Sequence, residues 1–92
     1  MMNLFPILNF NATIEERLKK LIEECQEVIK ATQMDASTQE ILSEYMDILE
    51  VCLTNIHMCY SDIEIEDALK LHRQKMLDRK YEIKSWLEIE RL

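Results

Sequence analysis

Glycine is absent from the sequence, and proline occurs once, at Pro6. Tight turns with positive φ lean on glycine, and two-residue β-hairpins lean on it most. A chain of 92 residues without it is steered away from sheets built on hairpins and towards helices joined by short polar links. The apolar residues agree, recurring at i, i+3, i+4 and i+7 rather than alternating. The expected fold class is all-α, with three main helices.

Three Ser/Thr-x-x-Glu patterns mark where those helices start: Thr13 with Glu16, Ser37 with Glu40 and Ser61 with Glu64. In each, the hydroxyl caps a backbone N–H while the carboxylate reaches back to the capping residue. The predicted helices run over about 14–32, 38–60 and 62–79. The first carries the stripe Ile14, Leu18, Leu21, Ile22, Cys25, Val28 and Ile29. The second is apolar nearly all round, which predicts a central helix covered on several sides. The third carries Ile65, Ala68, Leu69, His72 and Met76, with His72 expected in the core. One domain is expected over 1–92, with a lead-in at 1–12 draped over the helices and a tail at 80–92. Trp86 and Leu87 in that tail are expected to pack back. At 48% hydrophobic, the chain has more apolar material than one small helical core needs. Domains of this size are marginal alone, so a homo-oligomer is expected.

Eighteen acidic residues against 11 basic ones give a formal charge of −7. Nucleic-acid binding needs a basic footprint and is not expected. No apolar run approaches the ~20 residues of a membrane span, so no membrane partner is expected. The opening MMNLFPILNF lacks the basic region and small-residue cleavage site of a secretory signal. Cys25, Cys52 and Cys59 are odd in number and show no C-x-x-C spacing. They read as buried free thiols of a reducing, cytoplasmic compartment.

The chemistry lies in the carboxylates. Glu24 and Glu27 on the first helix, and Glu44 and Asp47 on the second, are spaced by three, which puts each pair on one helical face. Two such helices packed antiparallel would converge four carboxylates. Oxygen ligands of this kind suit Mg²⁺, with Mn²⁺ as the second choice. Spacing alone does not single them out, since 47/50 and 64/67 repeat it. For Glu24 and Glu27 a solvated face is an equal alternative. Glu44 and Asp47 stand in the most apolar helix, where Glu50 is the one other charge between Ile41 and Tyr60. A buried carboxylate needs a partner, a metal or a raised pKa. A metal is the economical answer there, and a water-facing side of the helix is the alternative. A di-iron site would need Glu-x-x-His, but Thr54 and Leu69 precede His57 and His72 by three. No phosphate-binding G-x-x-x-x-G-K-[ST] loop occurs.

Four further residues are candidates for substrate contact. Lys20 shares a face with Glu24 and Glu27, as a phosphate contact or as the i, i+4 partner of Glu24. Asn55 shares a face with Glu44 and Val51, as a base or sugar contact or as a structural amide. Lys75 and Arg79 are candidates for holding phosphates, or are solvated cations at a helix C-terminus.

EECQEVIKA, a polar break, SEYMDILEVCLTNI and a third helix ending in K-x-x-x-R together resemble the MazG-like all-α nucleotide pyrophosphohydrolases. They are also similar to phosphoribosyl-ATP pyrophosphohydrolase. The resemblance covers about residues 13–87 and rests on E-E-x-x-E followed, one helix later, by E-x-x-D. It implies an oligomeric helical bundle of the all-α NTP pyrophosphatase type, present as a homodimer or homotetramer. It implies Glu24, Glu27, Glu44 and Asp47 as Mg²⁺ ligands, with Glu23 as a catalytic acid residue that orients or deprotonates water. The implied reaction converts a nucleoside triphosphate to the monophosphate and pyrophosphate. The alternative is a non-catalytic helical oligomer or adaptor, or a family member that has lost activity.

Overall fold

A computed structural model of the chain describes residues 5–9 and 11–87. The expected lead-in at 1–4 and 10, and the tail at 88–92, lie outside the described residues. Among the described residues there are three helices and no strand: α1 (Ile14–Gln33), α2 (Thr38–Cys59) and α3 (Asp62–Asp78). None is long and apolar enough to cross a membrane.

Each helix begins where its hydroxyl places it. Thr13 and Ser61 accept from the N–H groups of Glu16 and Glu64, whose carboxylates accept in return from the capping residues. At α2, Ser37 Oγ accepts from Glu40 N–H at 3.2 Å. The helix ends contain a surprise for a chain without glycine. Asp35 and Lys80 take left-handed backbone, with φ of 54° and 63°. After α1, Ala36 N–H donates to Ala31 O and Asp35 N–H to Thr32 O. After α3, Tyr81 N–H donates to Met76 O and Lys80 N–H to Leu77 O. Both ends are Schellman closures, built on residues other than the usual glycine.

The chain divides into two compact units. The first, Pro6–Met58, contains α1 and α2 up to its last residue. Arg17 near the start of α1 bonds Asn55 near the end of α2. Glu24 in the middle of α1 approaches Glu44 and Asp47 in the first half of α2. The two helices are therefore an antiparallel hairpin. Arg17, Leu21, Glu24, Val28 and Ala31 are the covered positions of α1; Ile41, Glu44, Ile48, Val51 and Asn55 are those that α2 turns towards it. The lead-in is fixed to α2 by Leu8 N–H, which donates to Thr54 Oγ1 at 3.2 Å. Thr54 is fully buried and donates in turn to Glu50 Oε2.

Several expectations need correcting. Among the described residues, the buried apolar side chains are Val28 and Leu53 in the first unit and Ile65 in the second. In the single chain Ile14, Leu18, Ile22 and Ile29 of the first stripe are exposed, as are Leu42, Tyr45, Met46 and Leu49 of α2, whose burial was expected to be shared with partner subunits. At ~100° per residue, the exposed stripe of α1 lies about 100° round from its covered one, and that of α2 about 120° round in the same sense. Because the helices are antiparallel, both exposed stripes fall on one side of the hairpin. Cys25 and Cys59 are exposed and Cys52 is half-buried, so these thiols are not core residues.

In the second unit Ile65 is buried, whereas His72 is exposed rather than in a core. Trp86 and Leu87 are likewise exposed. Trp86 meets α3 through the Arg73 guanidinium, 5.9 Å from its ring centre, a cation–π distance.

Candidate metal centre

The antiparallel hairpin gives the acids their geometry. Glu24 sits on the covered stripe of α1 and Glu44 on that of α2, while Asp47 is one turn further and rotated to the hairpin's edge. One carboxylate oxygen from each lies within 4.8 Å of the others. Oxygens sharing a Mg²⁺ at ~2.0–2.1 Å stand about 3–4 Å apart, close to the spacing here, so these are the residues that could hold one cation. The donor set is oxygen alone and anionic, as hard cations require. The three residues fit the group that the sequence points to.

The electrostatics match such a cluster. The Glu44 carboxyl is held above its ordinary pKa, first by desolvation and then by the charges of Asp47, Glu27 and Glu24. Glu24 is the most covered of the three, its side chain 12% exposed, and it pairs with Lys20 Nζ at 3.0 Å. That hydrogen bond, with the Coulomb attraction of Glu24, raises the Lys20 pKa, and Glu23 and Asp47 add to it.

The sequence candidates are thus distributed unevenly. Glu24, Glu44 and Asp47 come together. Glu27 stays outside that group and exposed, although its charge reaches Glu44. Glu23 is exposed and acts on Lys20 through its charge. Lys20 takes the i, i+4 role beside Glu24. Asn55 accepts from Arg17 Nη1 at 3.4 Å, an amide engaged within the hairpin. Lys75 stands in the last turn of α3 and Arg79 at its C-cap, both exposed and both in the second unit. The burial order reverses the sequence expectation: Glu24 is the most covered, and Asp47, in the apolar helix, is exposed. Arg17 escaped the sequence reading altogether. Its one signal was its place seven residues before Glu24, on the same stripe.

No family model, no curated protein and no solved structure matches this chain.

Proposed function

We propose that the chain is a Mg²⁺-dependent nucleotide pyrophosphohydrolase that converts a nucleoside triphosphate to the monophosphate and pyrophosphate. The observation that carries this reading is the convergence of Glu24, Glu44 and Asp47 from successive helices. It adds a spatial relation to the E-E-x-x-E and E-x-x-D motifs, which sequence spacing alone left open. Bound there, Mg²⁺ (or Mn²⁺) would neutralise phosphate charge and acidify a water for attack at the α-phosphorus.

The protein's own part is to hold and aim. Glu24, Glu44 and Asp47 would hold the cation, and Glu27 adds negative charge from the next turn of α1. Lys20, paired with Glu24 beside the cluster, is the candidate cation for a substrate phosphate. Glu23, exposed on α1, takes the proton of the attacking water. Asn55, on the same hairpin as the acids, is a candidate for nucleotide contact. The second reading, a non-catalytic assembly protein, is favoured by the apolar side of the hairpin that the chain leaves exposed.

The test is pyrophosphate release from a panel of ribo- and deoxynucleoside triphosphates with Mg²⁺. Turnover should appear with at least one nucleotide. It should fall at least a hundredfold in Glu44→Ala and Asp47→Ala while helical circular dichroism is retained. An absence of turnover across the panel, together with no Mg²⁺-dependent thermal stabilisation, would sink the enzymatic reading.

A further inference from the structure

We propose that Lys20 and a divalent cation are alternative partners of the acid cluster: Lys20 is its built-in counter-ion, and a cation that binds there displaces the ammonium from Glu24. The inference rests on the cation part of the proposed function and not on the reaction.

Positive charge is scarce around these acids. α2 carries no lysine or arginine, so Glu44 and Asp47 have no such partner on their own helix. On α1, Lys19 and Lys30 lie about 140–160° round from the stripe that meets α2. Arg17 is on that stripe but two turns before Glu24, where it donates to Ala12 O and Asn55 Oδ1. Lys20 lies about 60° from the stripe, on the side to which Asp47 also turns. It stands one turn before Glu24, with Nζ 3.0 Å from Glu24 Oε1. The charge of Asp47, from the other helix, acts on the same ammonium, as does that of Glu23. The cluster thus already holds one cation of the chain's own at its edge.

An Mg²⁺ bound to Glu24 Oε1 at ~2.0–2.1 Å would lie within about 5 Å of that ammonium, inside a Debye length of ~8–10 Å, where like charges repel. Lys20 is the partner that yields. It bonds Glu24 of the three acids, whereas a cation can take an oxygen from each. Its side chain is 58% exposed, and an i, i+4 ion pair open to water is weakly held. Lysine is a compact charge on a flexible four-carbon stem, so it reaches water by rotating that stem. Glu24, its side chain 12% exposed, stays in the hairpin. Displacement gives the cation a second task, since it frees the ammonium that a substrate phosphate would meet.

The test compares the full-length chain with two variants. Lys20→Met keeps the apolar stem and removes the charge; Lys19→Met removes the same charge from the far side of α1. Each protein is stripped with EDTA and titrated with Mg²⁺ at constant ionic strength, with thermal melting as the readout. The Mg²⁺ concentration at half-maximal stabilisation should be at least about fivefold lower in Lys20→Met, and within about twofold of the unmodified value in Lys19→Met, because the nearer charge is screened much less. In the unmodified protein, acetylation of Lys20 by trace acetic anhydride is read by mass spectrometry against Lys19 of the same sample. That ratio should rise at least about threefold between EDTA and saturating Mg²⁺, as the ammonium leaves its ion pair. This second readout decides the matter if Lys20→Met does not fold. A midpoint that is unchanged or higher in folded Lys20→Met overturns the inference and makes Lys20 a brace that holds Glu24 for the cation. So does an acetylation ratio that Mg²⁺ leaves unchanged, and in both cases the metal reading stands. No Mg²⁺ response in any of the three proteins overturns the inference together with the metal reading.

Discussion

Asp35 and Lys80 occupy backbone that costs a residue with a Cβ about 1–2 kcal/mol, and Asp tolerates it better than Lys. Lys80→Gly should therefore stabilise the protein by roughly 0.5–1 kcal/mol, and Asp35→Gly by less, read from urea midpoints at constant m-value. Absence of glycine in the sequence argued against positive φ, and the structure uses it twice. The reason is that a Schellman closure is made by backbone N–H and C=O groups. Those groups are present at every residue except proline, so the sequence carries no mark of them. Glu44 shows a different single-residue tension. Desolvation and three neighbouring acids oppose its charge, and a cation held among them would offset that opposition. In EDTA, Glu44→Gln should melt higher than the unmodified protein. With millimolar Mg²⁺ the order should narrow or reverse, because the variant loses the metal-dependent rise. Differential scanning fluorimetry with and without Mg²⁺ checks both halves.

At the level of elements, helix starts were the most legible feature. The two reciprocal boxes, Thr13 with Glu16 and Ser61 with Glu64, are local chemistry over four residues, and local chemistry is written in order along the chain. They also carry a pH signature. Hydrogen bonds from the capping residues hold the Glu16 and Glu64 carboxyls below their ordinary pKa. A lowered carboxyl pKa means stability that is present above the ordinary carboxylate range and lost as pH falls through the lowered value. Thr13→Ala removes the hydroxyl's contribution and keeps the larger one from the backbone N–H, so the Glu16 titration, followed by NMR, should move only part of the way back towards the ordinary carboxylate range, and the first turn of α1 should fray earlier on acidification. Which apolar residues are covered was far less legible. The first stripe of seven residues is in fact two: Leu21 and Val28 lie on the covered side of α1, while Ile14, Leu18, Ile22 and Ile29 do not. Periodicity fixes the width of an apolar arc; it does not say what fills each part of it. His72 was misplaced for the same reason, since its position on a stripe was mistaken for burial.

Across the whole molecule, the hairpin separates its two chemistries by rotation about the same pair of helices. Glu24 and Glu44 sit on the α1–α2 contact, Glu27 and Asp47 turn one way from it, and the uncharged apolar side chains turn the other. The convergence of Glu24 with Glu44 and Asp47 was legible once the helices were taken as antiparallel, because spacing by three fixes a face. Their burial was not, because it depends on where the hairpin's edge falls, and the hydrophobicity of neighbouring residues in sequence does not report that. The separation has a consequence for assembly. All three clustered acids come from one chain, so a cation held by them would need no second copy, and effects at well-separated sites add. A neutral double variant of the apolar side, Ile22→Gln with Leu49→Gln, should therefore melt lower than the unmodified protein and lose any dependence of its melting temperature on protein concentration. Its rise in melting temperature with Mg²⁺ should nonetheless equal that of the unmodified protein within about 1 °C, corresponding to a difference well under 0.5 kcal/mol for a domain of this size. If the Mg²⁺ response vanished along with the concentration dependence, the cation would be held between two copies rather than within one hairpin, and the one-chain assignment of Glu24, Glu44 and Asp47 would fall.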